Sequence, residues 1–374
     1  MQEIKKTRIV LASVLKPVDD PRMFEKMGQS LAKDHEVHIF GTKGKTREHI
    51  ENIHFHPLSS YSRFGLSRIL APFKIFTGIL RIRPAVVIIN THELLWMVVA
   101  LNLLSRCAII YDIRENYYRN ILYTNAFPSV LRPLLAAYVR MKEWLTRPFI
   151  DQYLLAEAGY AKELPFLKNN YEIVENKLKA VVPNDGPKWN EDGNLHLLFS
   201  GTLSPTTGVF AAIKLVSQMH EIYPSVRLHL VGFSPMKSVL QEIEQEIRDK
   251  PFIIFETDNA PVPHTRILEA IQKADAGIIA YPPNPSTANT IPTKLFEYLG
   301  YQLPIILANH QPWVERCQPC DAAIPFDLAR MEPAEILKQL QARNFYTRAP
   351  EDVFWPFEEP KFLQIIAKIT NKGG

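Results

Sequence analysis

The sequence predicts an α/β fold of two doubly wound, Rossmann-like domains that face a cleft, and three observations support this. The chain has 374 residues, which is long for a single hydrophobic core. Short Val- and Ile-rich segments alternate with amphipathic segments along it. A polar, turn-rich stretch at 183–194 interrupts this alternation, which then restarts. We therefore expect two domains, at residues 1–184 and 185–353, with ligands bound in the cleft between them.

The first domain is expected to contain a parallel sheet, because the apolar residues of its strand segments occur on both faces. The predicted strands are 8–14, 36–41, 52–58, 85–90, 107–112, 151–157 and 179–183. A helix should follow the first strand, since Asp20 can cap it and Pro21 suits its first position.

The second domain repeats the pattern. Its predicted strands are 195–200, 226–232, 252–256, 276–281 and 304–308, and its predicted helices are 208–220, 236–249, 264–273 and 292–301. The tail predicts one more amphipathic helix, at about 354–374. This helix either caps the second domain, which it follows in the chain, or returns to the first domain. We expect it to pack on the first domain.

Net charge is distributed unevenly. Residues 1–183 hold 26 Lys and Arg against 17 Asp and Glu, a net charge of +9, whereas the remaining residues carry −5. Two segments of the basic half, 61–84 and 129–148, mix cations with large apolar residues at helical spacing. We expect them to contact an anionic membrane surface; the alternative is helix faces packed on the sheet. Nucleic acid is not expected as a partner, because the cations are dispersed.

Cysteine content and hydropathy indicate where in the cell the protein is expected. Three cysteines are too few for a disulfide framework, and the chain begins with a predicted strand rather than a signal peptide. No apolar run approaches the roughly 20 residues that span a bilayer. We therefore expect a cytoplasmic protein at the inner face of the cell membrane.

Two loops indicate the class of ligand. The loop after the first strand, SVLKPVDDPR, lacks the G-x-G-x-x-G of dinucleotide sites, which argues against NAD or FAD. The second domain instead opens with GTLSPTTG, in which Gly201 and Gly208 free backbone N–H groups at a helix start. Such a loop is suited to bind an anion, although the same glycines also occur in simple turns.

The helix predicted to begin near Pro292 carries a cation and a carboxylate on one face. Lys294 lies in its first turn, where the helix dipole already disfavours positive charge. A phosphate bound there would interact favourably with both the dipole and the lysine. Glu297, one turn later, could accept hydrogen bonds from a sugar diol. The alternative is a plain surface ion pair between the two residues.

Together these segments resemble the family 4 retaining glycosyltransferases, which have the GT-B fold, and in particular bacterial members that build surface polysaccharides. The resemblance is carried by IPTKLFEYLGYQLPII (291–306), DDPRMFEKMGQSLAKDHEVHIFG (19–41), YDIREN (111–116), LLFSGTLSPTTGV (197–209) and VPHTRILEAIQKADAGIIAYPP (262–283). It covers nearly the whole chain and implies transfer of a sugar from a nucleoside diphosphate to an acceptor hydroxyl, without a metal or cofactor.

The resemblance also implies site residues in the second domain. Glu297 matches the glutamate that holds the donor ribose, and Asn289 stands where the family has a second glutamate that contacts the sugar. The family's phosphate-binding Arg and Lys are replaced by Thr202 and Thr207. This departure weakens diphosphate binding unless Lys294 compensates, together with its neighbour Thr293 and the loop at Gly201.

In the first domain the resemblance places Arg114 where many relatives have a histidine, and an arginine can stabilise phosphate charge but cannot act as a base. His92 follows the preceding strand and is a second catalytic candidate. Arg22 and Asp112 are expected on the acceptor side, which takes a glycan or a lipid-linked intermediate. The departures leave two alternatives to a transferase: a non-catalytic sugar-nucleotide-binding subunit and a sugar-nucleotide epimerase of the same fold.

Overall fold

The computed structural model describes residues 6–44, 49–58, 66–124, 127–179, 192–257 and 262–372. The chain divides into two compact units. The first comprises Met1–Lys179 together with Trp355–Gly374, and the second comprises Ala180–Phe354. Each unit is an α/β structure built on its own parallel sheet, and the predicted fold class is confirmed.

The first unit contains a seven-stranded sheet in the order β3-β2-β1-β4-β5-β6-β7, with all neighbours parallel. Its strands are β1 Arg8–Pro17, β2 Glu36–Thr42, β3 Ile53–Leu58, β4 Val86–Ile89, β5 Ala108–Ile113, β6 Gln152–Leu155 and β7 Tyr171–Ile173. The order reverses direction between β1 and β4, as in doubly wound folds.

Both faces of this sheet are buried, which explains the apolar runs in its strands. Along β1, Ile9 and Leu11 join one core cluster while Val10, Ala12 and Val14 join another. Successive side chains of a strand point to opposite faces, so the two clusters are the two sides of one sheet. Helices cover each side, as parallel sheets require.

The second unit contains a six-stranded sheet in the order β10-β9-β8-β11-β12-β13, again parallel throughout. Its strands are β8 Leu195–Thr202, β9 Val226–Phe233, β10 Ile253–Thr257, β11 Ala276–Ile279, β12 Ile305–Ala308 and β13 Ala323–Phe326. The order reverses between β8 and β11, and this is where doubly wound folds bind ligands, at the carboxyl ends of the strands.

The helices connect these strands. They are α1 Gln29–Ala32, α2 Leu66–Ile82, α3 Leu95–Leu104, α4 Tyr117–Tyr123, α5 Arg132–Thr146, α6 Tyr160–Glu163, α7 Val209–Ile222, α8 Lys237–Ile247, α9 His264–Lys273, α10 Thr293–Gly300, α11 Gln311–Cys317, α12 Pro333–Ala342 and α13 Glu359–Lys372. A π-helical segment, Pro21–Gly28, leads into α1, and Asp20 caps it as expected. In the part of the chain that the structure describes, no helix is long and apolar enough to cross a membrane.

The C-terminal helix α13 packs on the first unit. Phe362 and Ile366 join the core cluster that contains Met27 and Leu31 of the first helical segment. The indole N–H of Trp355, just before α13, donates to the hydroxyl of Ser30 at 3.0 Å.

The strand predictions differ from the structure at two places. The strand predicted at 179–183 lies outside the described residues except for Lys179, which is not in a strand, and the sheet ends instead with the three-residue β7. The strand β13 was not predicted, because the segment AIPF is short and contains a proline. A proline without an N–H is tolerated at the edge of a sheet, and β13 is an edge strand.

Candidate functional site

The switch point of the second unit brings two loops together, one after β8 and one after β11. Gly201 and Gly208 bound the first loop and have positive φ angles of 91° and 82°, which only glycine adopts without strain. A Cβ on Gly208 would lie 1.8 Å from the carbonyl oxygen of Ala280. The glycine at 208 is therefore required, because the two backbones touch there.

The first loop holds its own shape through Ser204 and Thr207. The hydroxyl of Ser204 accepts from the backbone N–H of Thr207 at 3.2 Å, and the Thr207 hydroxyl accepts from the N–H of Ser204 at 3.1 Å. Thr207 Oγ1 also donates to the carbonyl of Thr202 at 2.7 Å. Thr207 thus shapes the loop, and its predicted contact with a diphosphate stays a prediction.

Lys294, in the first turn of α10, is the buried cation of this region. Its side chain is 6% exposed, and its Nζ has no hydrogen-bond partner among the described residues. The ammonium lies 4.3 Å from the ring centre of Phe199 and 5.3 Å from that of Tyr281, which are cation–π distances. A Cβ on Gly201 would lie 3.7 Å from Cε of Lys294. The lysine therefore lies beside the loop after β8.

Burial determines the protonation of Lys294. It lowers the lysine pKa to about 7, although the negative charge of Glu297 opposes this shift. A lysine with this pKa is half neutral near pH 7. Because a bound anion would favour the ammonium form, ligand binding and proton uptake are coupled at this position.

Glu297 is not half of a plain surface ion pair with Lys294, because both residues are buried. Its carboxylate instead contacts His264 at the start of α9, with a distance of 2.8 Å between Oε1 and Nε2. Sequence reasoning missed His264. The two residues are 33 positions apart, and no spacing rule connects them.

The remaining predicted donor residues lie at the same edge of the sheet. Thr202 ends β8, Thr293 begins α10 and Asn289 lies in the loop before it, all three exposed. Their position at the carboxyl ends of β8 and β11 agrees with a shared site, and their individual contacts with a ligand stay predictions.

In the first unit, two buried ion pairs join the segment that follows β1 to the carboxyl end of β5 and the residue after it. Arg22 is completely buried, and its Nε and Nη2 donate to Asp112 at 2.9 and 2.7 Å. Arg114 donates to both oxygens of Asp20 at 2.8 and 3.1 Å. Fork-shaped pairs of this kind fix side-chain direction strongly, so three predicted residues of the acceptor side form one rigid network with Asp20.

The network also sets the charge of Asp20 and Arg114. Burial, the largest single influence, disfavours the Asp20 carboxylate, but Arg114, Lys16 and the backbone N–H of Met23 together lower the Asp20 pKa to about 2. Asp20 additionally accepts from the backbone N–H groups of Arg22 and Met23. Sequence reasoning assigned Asp20 only a capping role. Because Asp20 neutralises Arg114, the predicted stabilisation of substrate phosphate by this arginine stays a prediction.

His92 makes its hydrogen bonds with a different residue, Lys142. It follows β4, and its Nδ1 lies 2.8 Å from Nζ of the buried Lys142. Burial is the main reason that its pKa falls to about 4, with Lys142 adding to the effect. The ring is therefore neutral at pH 7, and a neutral imidazole can accept a proton. Whether it touches a substrate stays a prediction.

Comparison with known proteins identifies the fold. No protein-family profile matches the sequence, and no curated protein matches it. Among solved structures, a sucrose-phosphate synthase from Thermosynechococcus elongatus matches 98% of this chain and 100% of its own with a TM-score of 0.71 at 13% identity. A UDP-forming α,α-trehalose-phosphate synthase from Burkholderia xenovorans, in complex with glucose-6-phosphate, matches 96% and 100% with a TM-score of 0.67 at 10% identity.

A lipopolysaccharide outer core galactosyltransferase matches 97% of this chain and 99% of its own, with a TM-score of 0.60 at 11% identity. At these identities the likeness shows the fold. The chain therefore has the GT-B architecture of two doubly wound α/β domains, as expected. The similar structures are GT-B glycosyltransferases, but they do not single out family 4.

Proposed function

We propose that the protein is a glycosyltransferase that transfers a sugar from a nucleoside diphosphate to an acceptor hydroxyl. One observation carries this proposal: the buried ammonium of Lys294, without a hydrogen-bond partner among the described residues, lies beside the glycine-bounded loop after β8. Burying a cation without an anion is costly. A bound diphosphate would supply that anion, and the neighbouring structures of the same fold include a UDP-forming synthase.

The reaction needs a group that stabilises the leaving diphosphate. The bond between the sugar C1 and the diphosphate oxygen breaks, a bond from C1 to the acceptor oxygen forms, and the acceptor proton passes to the departing phosphate. Negative charge grows on the diphosphate during this step. Lys294 and the positive end of the α10 helix dipole would stabilise that charge.

Glu297 is proposed to accept hydrogen bonds from the donor ribose. His264 holds one carboxylate oxygen at 2.8 Å, which fixes the direction of the side chain, and the second oxygen can accept from a hydroxyl. Asn289 is proposed to bind the donor sugar, and Thr202 and Thr293 to line the diphosphate. We further propose retention of anomeric configuration, no metal in the transfer step and no cofactor.

The acceptor is proposed to bind on the first unit, near the rigid network formed by Arg22, Asp112, Arg114 and Asp20. Two ion pairs connect the segment after β1 to the carboxyl end of β5 there, so the surface at this position is preorganised. His92 is proposed to accept a hydrogen bond from the acceptor hydroxyl and so to orient it, while the proton itself passes to the departing phosphate. A glycan or a lipid-linked intermediate of surface polysaccharide synthesis is the acceptor we propose.

A lipid-linked acceptor requires access to a membrane, and the first unit has a surface suited to it. Helices α2 and α5 both contact α3, and Trp96 of α3 donates to the hydroxyl of Tyr138 of α5. We call the exposed apolar side chains of these three helices the apolar helical face. It includes Ile69, Phe73, Leu103, Leu104, Leu134 and Leu145.

The charge around the apolar helical face favours an anionic bilayer as its partner. Residues 66–83, 95–106 and 128–147 contain nine Lys and Arg and a single acidic residue, Glu143; Lys142 and Glu143 are buried, so eight cations remain around this face. Exposed apolar groups flanked by cations are the pattern of proteins that lie on anionic lipid surfaces. We propose that this face contacts the inner surface of the cell membrane, where lipid-linked acceptors are presented.

The test begins with binding. Thermal shift and isothermal titration with UDP, GDP, ADP and dTDP should identify one base that raises the melting temperature, because a ligand that binds only the folded state stabilises it. The matching sugar nucleotides are then incubated with lipid-linked and soluble acceptors without added Mg²⁺ or Mn²⁺. Transfer of label to an acceptor supports the proposal, and failure of all four nucleotides to bind refutes it.

A second candidate, a non-catalytic sugar-nucleotide-binding subunit, is favoured by the lack of unpaired charge at three predicted site residues. Arg114 is neutralised by Asp20, and neutral threonines occupy 202 and 207. This candidate predicts nucleotide binding without hydrolysis of the donor or transfer to any acceptor. The same assay therefore separates the two functions.

A further inference from the structure

A cluster of three histidines and a glutamate lies on one face of the sheet in the first unit, outside the proposed site. The parallel strands β2 and β3 are paired so that His38 lies directly beside His54. Glu36 precedes His38 by two residues and His56 follows His54 by two. Residues two apart on a strand share a face, so the four side chains are on the same side of the sheet.

Two distances within the cluster are close to those between neighbouring ligands of a metal ion. Nε2 of His38 lies 3.2 Å from Oε1 of Glu36, and Nε2 of His54 lies 3.5 Å from the same oxygen. One ligand atom from each of the three residues lies within 4.8 Å of the others. Tetrahedral Zn²⁺ binds N and O at about 2.0–2.1 Å, which places neighbouring ligands about 3.3 Å apart.

The fourth residue orients the central ligand. Nδ1 of His38 lies 3.0 Å from Nε2 of His56, and a hydrogen bond donated by His38 there leaves the lone pair of its Nε2 free. That Nε2 is buried and has no hydrogen-bond partner in the described residues, and the nearby carboxylate of Glu36 lies 3.2 Å from it. Metal-bound histidines are held in this way by a partner on the second ring nitrogen.

We propose that Glu36, His38 and His54 bind Zn²⁺, with His56 as a positioning residue and water completing the coordination. Two imidazoles and a carboxylate are a ligand set that zinc accepts. The ion would link β2 to β3, which is the edge strand of the sheet. Because the ligands lie in the first half of each strand, whereas the proposed acceptor residues lie at the carboxyl ends, the zinc site is separate from the proposed acceptor site.

Zinc titration of tag-free protein, stripped of metal with a chelator, tests this proposal. We expect one Zn²⁺ per chain, bound tightly enough to compete with a chromophoric chelator at micromolar concentration. Co²⁺ in its place should give the visible absorption of tetrahedral coordination. His54→Ala removes a ligand whose side chain is half exposed, so the fold is retained, and it should weaken Zn²⁺ binding more than about 100-fold. His56→Ala should weaken it about 10–100-fold.

His229→Ala is the matched control. His229 also forms a pair with a glutamate, Glu256, at 3.1 Å, but this pair belongs to no group of three metal-binding side chains within the described ranges. The control should bind Zn²⁺ as the wild type does. The proposal is overturned if the wild type binds no Zn²⁺ at micromolar concentration, or if His54→Ala binds it with unchanged affinity.

Discussion

Lys294 of α10 and Gly201 at the end of β8 lie so close that a Cβ on the glycine would be 3.7 Å from the lysine Cε. The helix that follows β11 and the loop that follows β8 are thereby parts of one surface at the switch point of the second unit. A single anion placed there would meet the ammonium and the backbone N–H groups together.

Lys294→Met should weaken binding of the cognate nucleoside diphosphate by about tenfold to hundredfold. A hydrogen bond to a charged group contributes about 1.5–3 kcal/mol, and methionine keeps the length and apolar stem of the side chain. Isothermal titration measures the loss. Lys214→Met, at an exposed position on α7, is the control and should bind as the wild type does. Equal affinities for the two variants would show that the diphosphate binds elsewhere.

The same substitution should stabilise the unliganded protein. Burial lowers the Lys294 pKa to about 7, well below its ordinary value, so the unfolded chain holds a proton that the folded chain loses. Stability therefore rises as pH increases from about 7 towards the ordinary lysine pKa. The stability gain of Lys294→Met should be greatest below about pH 7 and shrink above it. Thermal melts of both proteins from pH 6 to 9 measure this gain. A difference in melting temperature that does not change with pH would contradict the lowered lysine pKa.

Glu297→Ala should remove discrimination between ribose and deoxyribose. The wild type is expected to bind a ribonucleoside diphosphate about tenfold more tightly than an analogue lacking the ribose hydroxyl that contacts the carboxylate, and the variant should bind both equally. The measured quantity is the ratio of two affinities of the same protein, so a general loss of nucleotide affinity does not change it. Unchanged discrimination in Glu297→Ala would place the ribose at another residue.

Asp112→Asn should destabilise the first unit by about 3–5 kcal/mol, because it leaves the charge of Arg22 buried and uncompensated. Arg22 is completely buried, and its pair with Asp112 is bidentate. Urea unfolding followed by tryptophan fluorescence measures the change. Arg330→Ala, which breaks the exposed pair with Glu332, should cost no more than about 1 kcal/mol. Similar midpoints for the two variants would contradict the importance of the buried pair.

Leu103→Glu should reduce binding to vesicles that contain phosphatidylglycerol, because it places a carboxylate within the apolar helical face, where Leu103 is 75% exposed. Co-sedimentation with phosphatidylglycerol and with pure phosphatidylcholine vesicles measures it. Wild-type binding should require the anionic lipid and weaken in high salt. Ile222→Glu, at an exposed apolar residue of the second unit, should leave binding unchanged. Equal binding of both lipids by the wild type would exclude the proposed charge complementarity.

Much of the architecture was readable from local patterns. The helices predicted at 208–220 and 264–273 appear at Val209–Ile222 and His264–Lys273, because hydrophobic period and capping residues are local properties. The strand β13 escaped prediction since four residues with a proline carry too little periodic signal. Its pairing is supplied by β12, which lies beside it only in the folded chain.

The sequence by itself determined the two α/β units, the glycines at 201 and 208, and the placement of Lys294 at the start of a helix. Only the tertiary structure decided that Arg114 pairs with Asp20 and that His264 holds Glu297. The physical reason is the distance along the chain over which each interaction acts. Backbone preferences act over a few residues, whereas the burial, pKa and partner of a charged side chain depend on groups far away in the chain that folding brings within 3 to 5 Å.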